Sequence, residues 1–387
     1  MNKIPRVLLL ISAVVGITWG LLWSVQAPFL RSLGYSGTEY GLLGGLGVVS
    51  GAVATILAGV LSDLVGARTV MAAGILAYSS SLLLISTGEW LSIVAGYALL
   101  GISHGLYWTS NRALIARIGE DKYLHYSLSY YAAAGSMGGA VGSVAGWVPV
   151  LASRSYSIEL VEAYRWSIRL LSLFVLVGIP LTTRVSGEAI VRRESLLKAV
   201  KSINRLFLGL AVFEMIIGFG AAMSIHNIDY YFALKYRVTS GELGSVFALQ
   251  QLAMALLMIK LPGLSDRVGG PLRVYISVAA TSIPLLIGMT LTNSYLVAST
   301  LYLTRSILMN VATPLFEAFA LGLVDRGVRG VASSLLSLSW TIPGSGGRVV
   351  GGYLLDIDVE LPLRLTALLY SIALVGYAVI GKKARSL

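Results

Sequence analysis

Long apolar runs are the feature that most limits what this chain can fold into. A helix needs about 20 apolar residues to cross a bilayer, and inside lipid its backbone polar groups must bond within the same helix. Charged residues make up only 12% of the 387 residues, against roughly 25% in soluble domains. We therefore expect an all-α integral membrane protein. Twelve transmembrane spans are expected, numbered 1 to 12 in chain order: residues 7–30, 38–61, 69–87, 90–115, 126–151, 166–183, 206–233, 241–261, 273–292, 294–322, 329–353 and 362–381.

One polar turn occurs twice in the sequence. Between spans 2 and 3 it reads GVLSDLVGAR, and between spans 8 and 9 it reads PGLSDRVGGPLR. Aligning the two copies places Asp63 on Asp266, and the same spacing relates Glu39 to Glu242. Both glutamates stand at the start of a span, where their repetition favours a capping role over contact with a substrate. The repeat indicates that the chain consists of two homologous halves.

The two halves are each expected to form a six-helix bundle. The bundles are residues 1–183 and 206–387, joined by a basic linker at 184–205. Lysine and arginine concentrate in this linker, at both termini and in the loops that follow even-numbered spans. The positive-inside rule makes those segments cytoplasmic, which explains the net charge of +11 without a nucleic-acid partner. We expect a multi-pass monomer of the cell membrane, whose partners are the lipid bilayer and a small organic substrate.

The first copy of the turn resembles a known signature. Its pattern G-x-L-S-D-x-x-G-x-R at residues 59–68 is similar to the signature loop of the major facilitator superfamily (MFS), where a degenerate second copy is usual. The resemblance implies the MFS fold, with twelve transmembrane helices in two pseudo-symmetric six-helix bundles. It also implies a secondary transporter that works by alternating access, with spans 1, 4, 7 and 10 lining a central cavity.

Two features of the drug–proton antiporters in this superfamily are incomplete here. Gly101 stands where those proteins carry an arginine in span 4. Span 5 keeps a glycine ladder that includes Gly142 and Gly146, but Ser143 occupies the place of its proline. Span 11 repeats the ladder as PGSGGRVVGG, with Arg348 in that place. Small residues that allow tight helix packing explain both ladders equally well.

Polar and aromatic side chains inside spans 1, 4, 7 and 10 are the candidates for a substrate and proton pathway. An ionisable side chain in lipid is costly unless it faces a partner or a cavity. Helical spacing places the candidates of span 1 on one face, and likewise those of span 4. Interface anchoring is the alternative for the tryptophans, and packing is the alternative for the histidines. The expected pathway residues are Trp19, Trp23, Gln26, His104, Tyr107, Trp108, Asn111, Glu214, His226, Asp229, Tyr230, Arg305 and Asn310.

Arg305 is the most informative of these residues. It lies near the middle of span 10, too deep for its charge to reach the interface easily. It therefore needs a partner, which is Asp229, Glu214 or an anionic substrate. One of these two carboxylates is also expected to exchange a proton and couple transport to it, assisted by His226 or His104. Sodium coupling is the alternative.

Asp63 is expected to act as a conformational latch on the cytoplasmic surface. Its carboxylate can pair with Arg68 or Arg112, or face the positive end of span 11, and the resemblance implies the same role. Capping of a helix end is the alternative. The full set of expected latch residues is Gly59, Asp63, Gly66, Arg68, Arg112, Asp266 and Gly269.

The buried acids and aromatic residues favour proton-coupled efflux of a lipophilic cation. Arg305 favours an organic anion, so proton-coupled uptake of an organic anion or a sugar is the first alternative. A non-transporting receptor or scaffold on the same fold is the second. The sequence contains no H-E-x-x-H pattern and no phosphate-binding loop, and no G-x-S-x-G turn is expected, so no enzyme activity, metal site or cofactor is expected.

Overall fold

The expected succession of membrane-spanning helices is confirmed. The computed structural model describes residues 6–118, 124–185, 205–260, 271–324 and 329–383, and every regular element within these ranges is a helix. Nine helices in this part of the chain are long and apolar enough to cross a membrane. The twelve spans run Arg6–Ser32, Gly37–Leu64, Ala67–Ser86, Trp90–Ile118, Leu124–Val144 with Trp147–Tyr156, Leu160–Val175 with Gly178–Thr182, Arg205–Ser224 with Ile225–Asn227 and Ile228–Lys235, Ser240–Lys260, Pro271–Leu291, Tyr295–Gly322, Arg329–Ile357 and Leu361–Lys383.

Span 7 is interrupted in its second half. An α-helix ends at Ser224, a 3₁₀ turn follows at Ile225–Asn227, and the α-helix resumes at Ile228. No proline occurs in this span, so a missing backbone donor does not cause the interruption. A short 3₁₀ stretch within a longer helix often marks a functional hinge. The interruption places Asp229 in the first turn of the resumed helix.

The turn between spans 2 and 3 is much shorter than the polar stretch of about ten residues that the sequence predicted from the length of its apolar runs. Span 2 continues to Leu64 and span 3 begins at Ala67. Gly66 has a φ of 91°, a conformation that glycine adopts without steric cost. The prediction of a ten-residue turn was wrong because helices continue beyond the hydrocarbon core into the polar headgroup layer. Asp63 therefore lies in the last turn of a helix.

The chain divides into two compact units that do not coincide with the two sequence halves. The first comprises Met1–Ser36, Leu46–Arg192 and Phe232–Ile259, and the second comprises Gly37–Gly45, Arg193–Tyr231 and Lys260–Leu387. The predicted linker and the second copy of the polar turn, with Asp266 and Gly269, fall almost entirely outside the described residues. The division into bundles at residues 184–205 therefore stays a prediction.

In the first unit, spans 1 and 5 pack backbone to backbone. A Cβ atom built on Gly142 would lie 1.9 Å from the carbonyl oxygen of Ile17, and one on Gly138 would lie 2.2 Å from that of Ala13. No side chain fits at such distances. The glycine ladder of span 5 thus permits tight helix packing, as the alternative interpretation predicted.

The second unit repeats this packing between spans 7 and 11. A Cβ atom on Gly351 would lie 1.9 Å from the carbonyl oxygen of Met223, and one on Gly347 would lie 2.3 Å from that of Phe219. The ladder residues of span 11 therefore serve the same purpose as those of span 5.

Gly101 in span 4 shows the same restriction. A Cβ atom there would lie 2.0 Å from the carbonyl oxygen of Gly47 in span 2. The arginine that drug–proton antiporters carry at this place has no room in this chain.

Candidate functional site

Spans 1, 3 and 4 bring five aromatic rings together in the first unit. The ring of Trp19 stacks on Tyr78 at 5.3 Å between centroids and meets the edge of His104 at 5.6 Å. Trp108 lies 5.9 Å from His104 and 5.8 Å from Tyr107. The helical spacing that the sequence analysis used thus places Trp19, His104, Tyr107 and Trp108 in one neighbourhood. We call Trp19, Tyr78, His104, Tyr107 and Trp108 the aromatic cluster.

A small cavity lies beside this cluster. Its volume is about 10 Å³, close to the minimum that a single water molecule occupies. The Tyr78 hydroxyl is buried and has no hydrogen-bond partner among the described residues. The cavity is lined by Val15, Trp19, Gly74, Ile75, Tyr78, Ser103, His104 and Tyr107.

The other predicted residues of spans 1 and 4 have contacts outside this cluster or no hydrogen-bond partner among the described residues. Gln26 is buried and its Oε1 accepts a hydrogen bond from Tyr97 at 3.2 Å. Trp23 meets Phe247 edge to face at 6.3 Å. Asn111 is 1% exposed, and neither atom of its amide has a partner within the described residues.

Residues 101–105 read GISHG, which matches the letters of the nucleophile-elbow motif. That motif requires a serine on a sharp turn between a strand and a helix. Here the residues lie within the helix of span 4, and the Ser103 hydroxyl donates to the carbonyl oxygen of Leu100 at 2.7 Å. The letters therefore carry no hydrolase site.

In the second unit, two buried charged side chains bond to tyrosines of span 12. The Tyr377 hydroxyl donates to the carboxylate of Glu214 at 2.6 Å, and Arg305 donates from Nη2 to the Tyr370 hydroxyl at 2.7 Å. Glu214 is 9% exposed and Arg305 is 5% exposed. Tyr275 of span 9 packs its ring 5.7 Å from that of Tyr377. We call these five residues the polar network.

Arg305 has no carboxylate partner within the described residues. Both carboxylates that the sequence analysis proposed for it bond elsewhere, Glu214 to Tyr377 and Asp229 to Tyr40. The Nε–H of Arg305 is buried and has no hydrogen-bond acceptor among the described residues. A buried guanidinium held by a single tyrosine is thus the least compensated charge in the polar network.

The interruption of span 7 forms a second polar group. The Tyr40 hydroxyl, from the start of span 2, donates to Asp229, and the backbone N–H of Tyr230 donates to the same carboxylate at 2.9 Å. Arg348 of span 11 donates to the carbonyl oxygen of His226 at 2.8 Å. Asn227 donates to the carbonyl oxygen of Arg348 at 3.1 Å, which ties span 11 to the 3₁₀ turn.

Several of these partners have only a weak signal in the sequence. Tyr370 and Tyr377 are two of 20 tyrosines and lie in span 12, outside the spans that the resemblance singled out. Tyr40 stands next to the repeated Glu39, which was the available signal. Arg348 was noticed only as a residue in a glycine ladder, although an arginine within an apolar span is itself a signal.

Within the described residues, the hydrogen bonds of Asn310 stay inside its own helix. It is exposed, and its amide donates to the carbonyl oxygen of Ser306 in the same helix at 2.8 Å. Glu242, by contrast, forms a capping box with Thr239: its carboxylate accepts from the Thr239 backbone N–H at 2.7 Å. The capping role predicted for Glu242 is therefore confirmed.

The latch residues that the structure describes lie at the ends of spans 2, 3 and 4. Asp63 and Arg68 are half-buried on either side of the turn, and Arg112 is exposed. Gly59 lies one turn before Asp63 in the same helix. The latch itself stays a prediction. No set of three or more histidine, aspartate or glutamate side chains within the described ranges is arranged to hold a metal ion.

Comparison with solved structures shows the same fold in known transporters. A bacterial homolog of the human lysosomal transporter Spinster, in an inward-facing and occupied conformation, matches with a TM-score of 0.79 at 14% identity, over 97% of this chain and 96% of that one. The nucleoside transporter NupG matches with a TM-score of 0.74 at 13% identity, over 97% and 98%. The human organic anion transporter MFSD10 matches with a TM-score of 0.62 at 18% identity, over 96% and 98%.

At these identities the structural likeness shows the fold alone. A search of curated proteins found no match. The family model of the Major Facilitator Superfamily, however, matches residues 8–347, which is most of the chain. The protein therefore belongs to the Major Facilitator Superfamily of membrane transporters.

Proposed function

We propose that this protein is a proton-coupled secondary transporter of a small organic solute. It works by alternating access in the cell membrane, as a monomer with both termini in the cytoplasm, and Glu214 carries the coupling proton. Membership of the superfamily supports transport, and the distribution of basic residues supports the orientation. The polar network supports the coupling.

The observation that carries the proposal is the buried carboxylate of Glu214 within an apolar span. Placing an ionisable group there opposes insertion into lipid, so its presence calls for a function. The fold does not require it, because spans 1 and 4 of the first half carry no aspartate or glutamate at all. A carboxylate that accepts one hydrogen bond from Tyr377 retains an oxygen that can take up and release a proton.

Asp229 is the weaker candidate for the coupling carboxylate. Its two oxygens accept from the Tyr40 hydroxyl and from the Tyr230 backbone N–H. The second bond lies in the first turn of the resumed helix, where a carboxylate also interacts favourably with the helix dipole. Asp229 is thus engaged in holding the interruption of span 7 together.

Efflux of a lipophilic cation by antiport is a second candidate function, and the aromatic cluster favours it. Trp19 and Trp108 are half-exposed and His104 is exposed, so their rings are accessible to a bound molecule. Aromatic faces attract organic cations. Efflux is also the direction of transport that the buried acids and aromatic residues of the sequence favour.

Proton flux in liposomes tests the proposal. The purified protein is reconstituted, a pH gradient is imposed, and lipophilic cations, organic anions and sugars are added in turn. We expect one class to change the rate at which the gradient collapses. Two results together would contradict proton coupling. The pH gradient would collapse at the same rate with every class of compound, and substrate movement would depend on sodium or on no ion.

Replacing Asp63 by asparagine tests the latch. Loss of the charge at the end of span 2 should favour the inward-open state and slow transport, while the protein still folds. Accessibility of single cysteines on each face to a membrane-impermeant thiol reagent measures this balance, because the chain contains no native cysteine. Normal transport with unchanged accessibility on both faces would leave Asp63 with only a capping role.

A further inference from the structure

The interruption of span 7 leaves backbone oxygen atoms without helical partners. The α-helix ends at Ser224 and a 3₁₀ turn follows at Ile225–Asn227, and the last carbonyl groups of a helix have no donor within it. Inside a membrane such groups need another partner. Where membrane helices of secondary transporters are broken, the unwound carbonyl groups commonly coordinate a free cation such as Na⁺. A positive charge is therefore the partner to look for at this turn.

The guanidinium of Arg348 in span 11 is that positive charge. It donates from Nη2 to the carbonyl oxygen of His226 at 2.8 Å and from Nε to Oδ1 of Asn227 at 3.3 Å. Its carbon lies 5.9 Å from the centre of the Tyr40 ring, within the range of a cation–π contact. A backbone carbonyl, an amide oxygen and an aromatic face are groups with which proteins bind free cations. The three groups around Arg348 thus form the lining of a cation site.

The surroundings of this guanidinium are shaped to hold it. A Cβ atom on Gly44 would lie 2.4 Å from Nε of Arg348 and 2.6 Å from its guanidinium carbon, so a side chain there would displace the charge. Asn227 is fully buried, and its amide nitrogen donates to the carbonyl oxygen of Arg348 at 3.1 Å, which leaves Oδ1 to accept from Nε. The hydroxyl of Tyr40 donates to the carboxylate of Asp229, so an acid bonds to the same ring that faces the guanidinium.

We infer that the turn at Ile225–Asn227 is a site for a monovalent cation, and that the side chain of Arg348 supplies the cation. Arginine keeps its charge at every physiological pH, so the turn has its partner whatever the concentration of sodium or potassium. A cation attached to span 11 by its own side chain cannot dissociate during the transport cycle. The interruption therefore takes up no coupling ion in the wild type. This inference does not involve Glu214, so it stands apart from the proposed function.

Truncation of Arg348 to alanine should convert the turn into a site for a free cation. The carbonyl oxygen of His226 and Oδ1 of Asn227 would lose their donors, and the volume of the guanidinium would become open. Free guanidinium has the planar arrangement of donors that the side chain lost, so it should bind best. Sodium should bind more weakly, because these oxygens must replace part of its hydration shell.

Thermal unfolding of the purified full-length protein in detergent tests the inference. The chlorides of guanidinium and sodium are compared with that of N-methylglucamine, a bulky cation, at equal ionic strength. Guanidinium is kept far below the molar concentrations that unfold proteins. We expect guanidinium to raise the unfolding temperature of Arg348→Ala by several degrees, because a ligand that binds only the folded state stabilises it, and sodium to raise it by less. Neither cation should change the unfolding temperature of the wild type.

Two further variants separate the charge of Arg348 from its packing. Lysine and methionine have unbranched side chains of similar length, but only lysine is charged. We expect Arg348→Lys to unfold at a clearly higher temperature than Arg348→Met. Arg364→Ala, which removes an exposed arginine paired with Asp358, is the matched control and should respond to neither cation. If Arg348→Ala is not recovered folded, the comparison of lysine with methionine decides by itself.

Equal unfolding temperatures for Arg348→Lys and Arg348→Met would overturn the inference, because they would show that this position needs only a side chain of that size. An Arg348→Ala protein that folds but gains no stability from guanidinium would overturn it as well. Sodium-driven substrate movement in liposomes would contradict the proposed function, yet would leave the role of Arg348 standing. The two proposals therefore fail in different experiments.

Discussion

Replacing Glu214 by glutamine should separate substrate movement from proton movement. Glutamine keeps the size of the side chain and can still accept a hydrogen bond from Tyr377, but it cannot exchange a proton. We expect substrate exchange between equal concentrations on both sides of a liposome to persist. Accumulation driven by a pH gradient should fall to the level of empty liposomes. Uptake of a labelled substrate of the responding class measures both quantities in one preparation.

A second carboxylate provides the control for this variant. Glu162 forms an ion pair with Arg165 at 2.7 Å near the start of span 6, and its side chain is 42% exposed. Exposed pairs of this kind contribute about 0–1 kcal/mol to stability, so Glu162→Gln should accumulate substrate normally. Accumulation that survives in Glu214→Gln would move the coupling role to Asp229, which Asp229→Asn tests in the same assay.

Placing a methyl group on Gly142 should have the largest effect on stability. The new Cβ atom would lie 1.9 Å from the carbonyl oxygen of Ile17, and neither helix backbone can move aside without disturbing the rest of the seam between spans 1 and 5. Overpacking a core costs about 1–3 kcal/mol and occasionally more. We expect Gly142→Ala to reach or exceed the upper end of that range.

Gly322 allows the same substitution without a clash. A Cβ atom there meets no other atom within 4 Å, so Gly322→Ala should be neutral or should stabilise the helix end by up to about 1 kcal/mol. Thermal unfolding of the two variants in one detergent, followed by intrinsic fluorescence, makes the comparison. Equal unfolding temperatures would show that spans 1 and 5 can separate without loss of stability.

Hydropathy was sufficient to locate the spans because lipid leaves a backbone few alternatives to a helix. It failed at the turn between spans 2 and 3, where the helices extend past the apolar residues. Asp63 and Arg68 read as loop residues, yet each belongs to a helix. Charged residues show where a span leaves the hydrocarbon core. The positive φ of Gly66, by contrast, separates the helix of span 2 from that of span 3.

The site was only partly predictable for a different reason. Residue type and depth were enough to single out Glu214 and Arg305, because charge within a span is rare. Their bonds to Tyr377 and Tyr370 depend on how spans 7, 10 and 12 pack, and no local pattern encodes that packing. A carboxylate or an anionic substrate was the expected partner of Arg305; among the described residues its side chain bonds to the Tyr370 hydroxyl, and Glu214 bonds to Tyr377.

The glycine contacts between spans 7 and 11 have a mechanical consequence. At Gly351 the two backbones meet without an intervening side chain, so that part of span 7 moves with span 11 as one stiff rod. The rod ends at Ser224, and the 3₁₀ turn at Ile225–Asn227 follows at once. The turn is held to span 11 by side-chain hydrogen bonds of Arg348 and Asn227 rather than by direct backbone contact. Bending during the transport cycle should therefore concentrate in this turn, as at a hinge, and move the segment Ile228–Lys235 that carries Asp229. Spin labels placed across the turn should report a broad range of distances, and labels placed within Arg205–Ser224 a narrow one; equal widths would contradict the hinge.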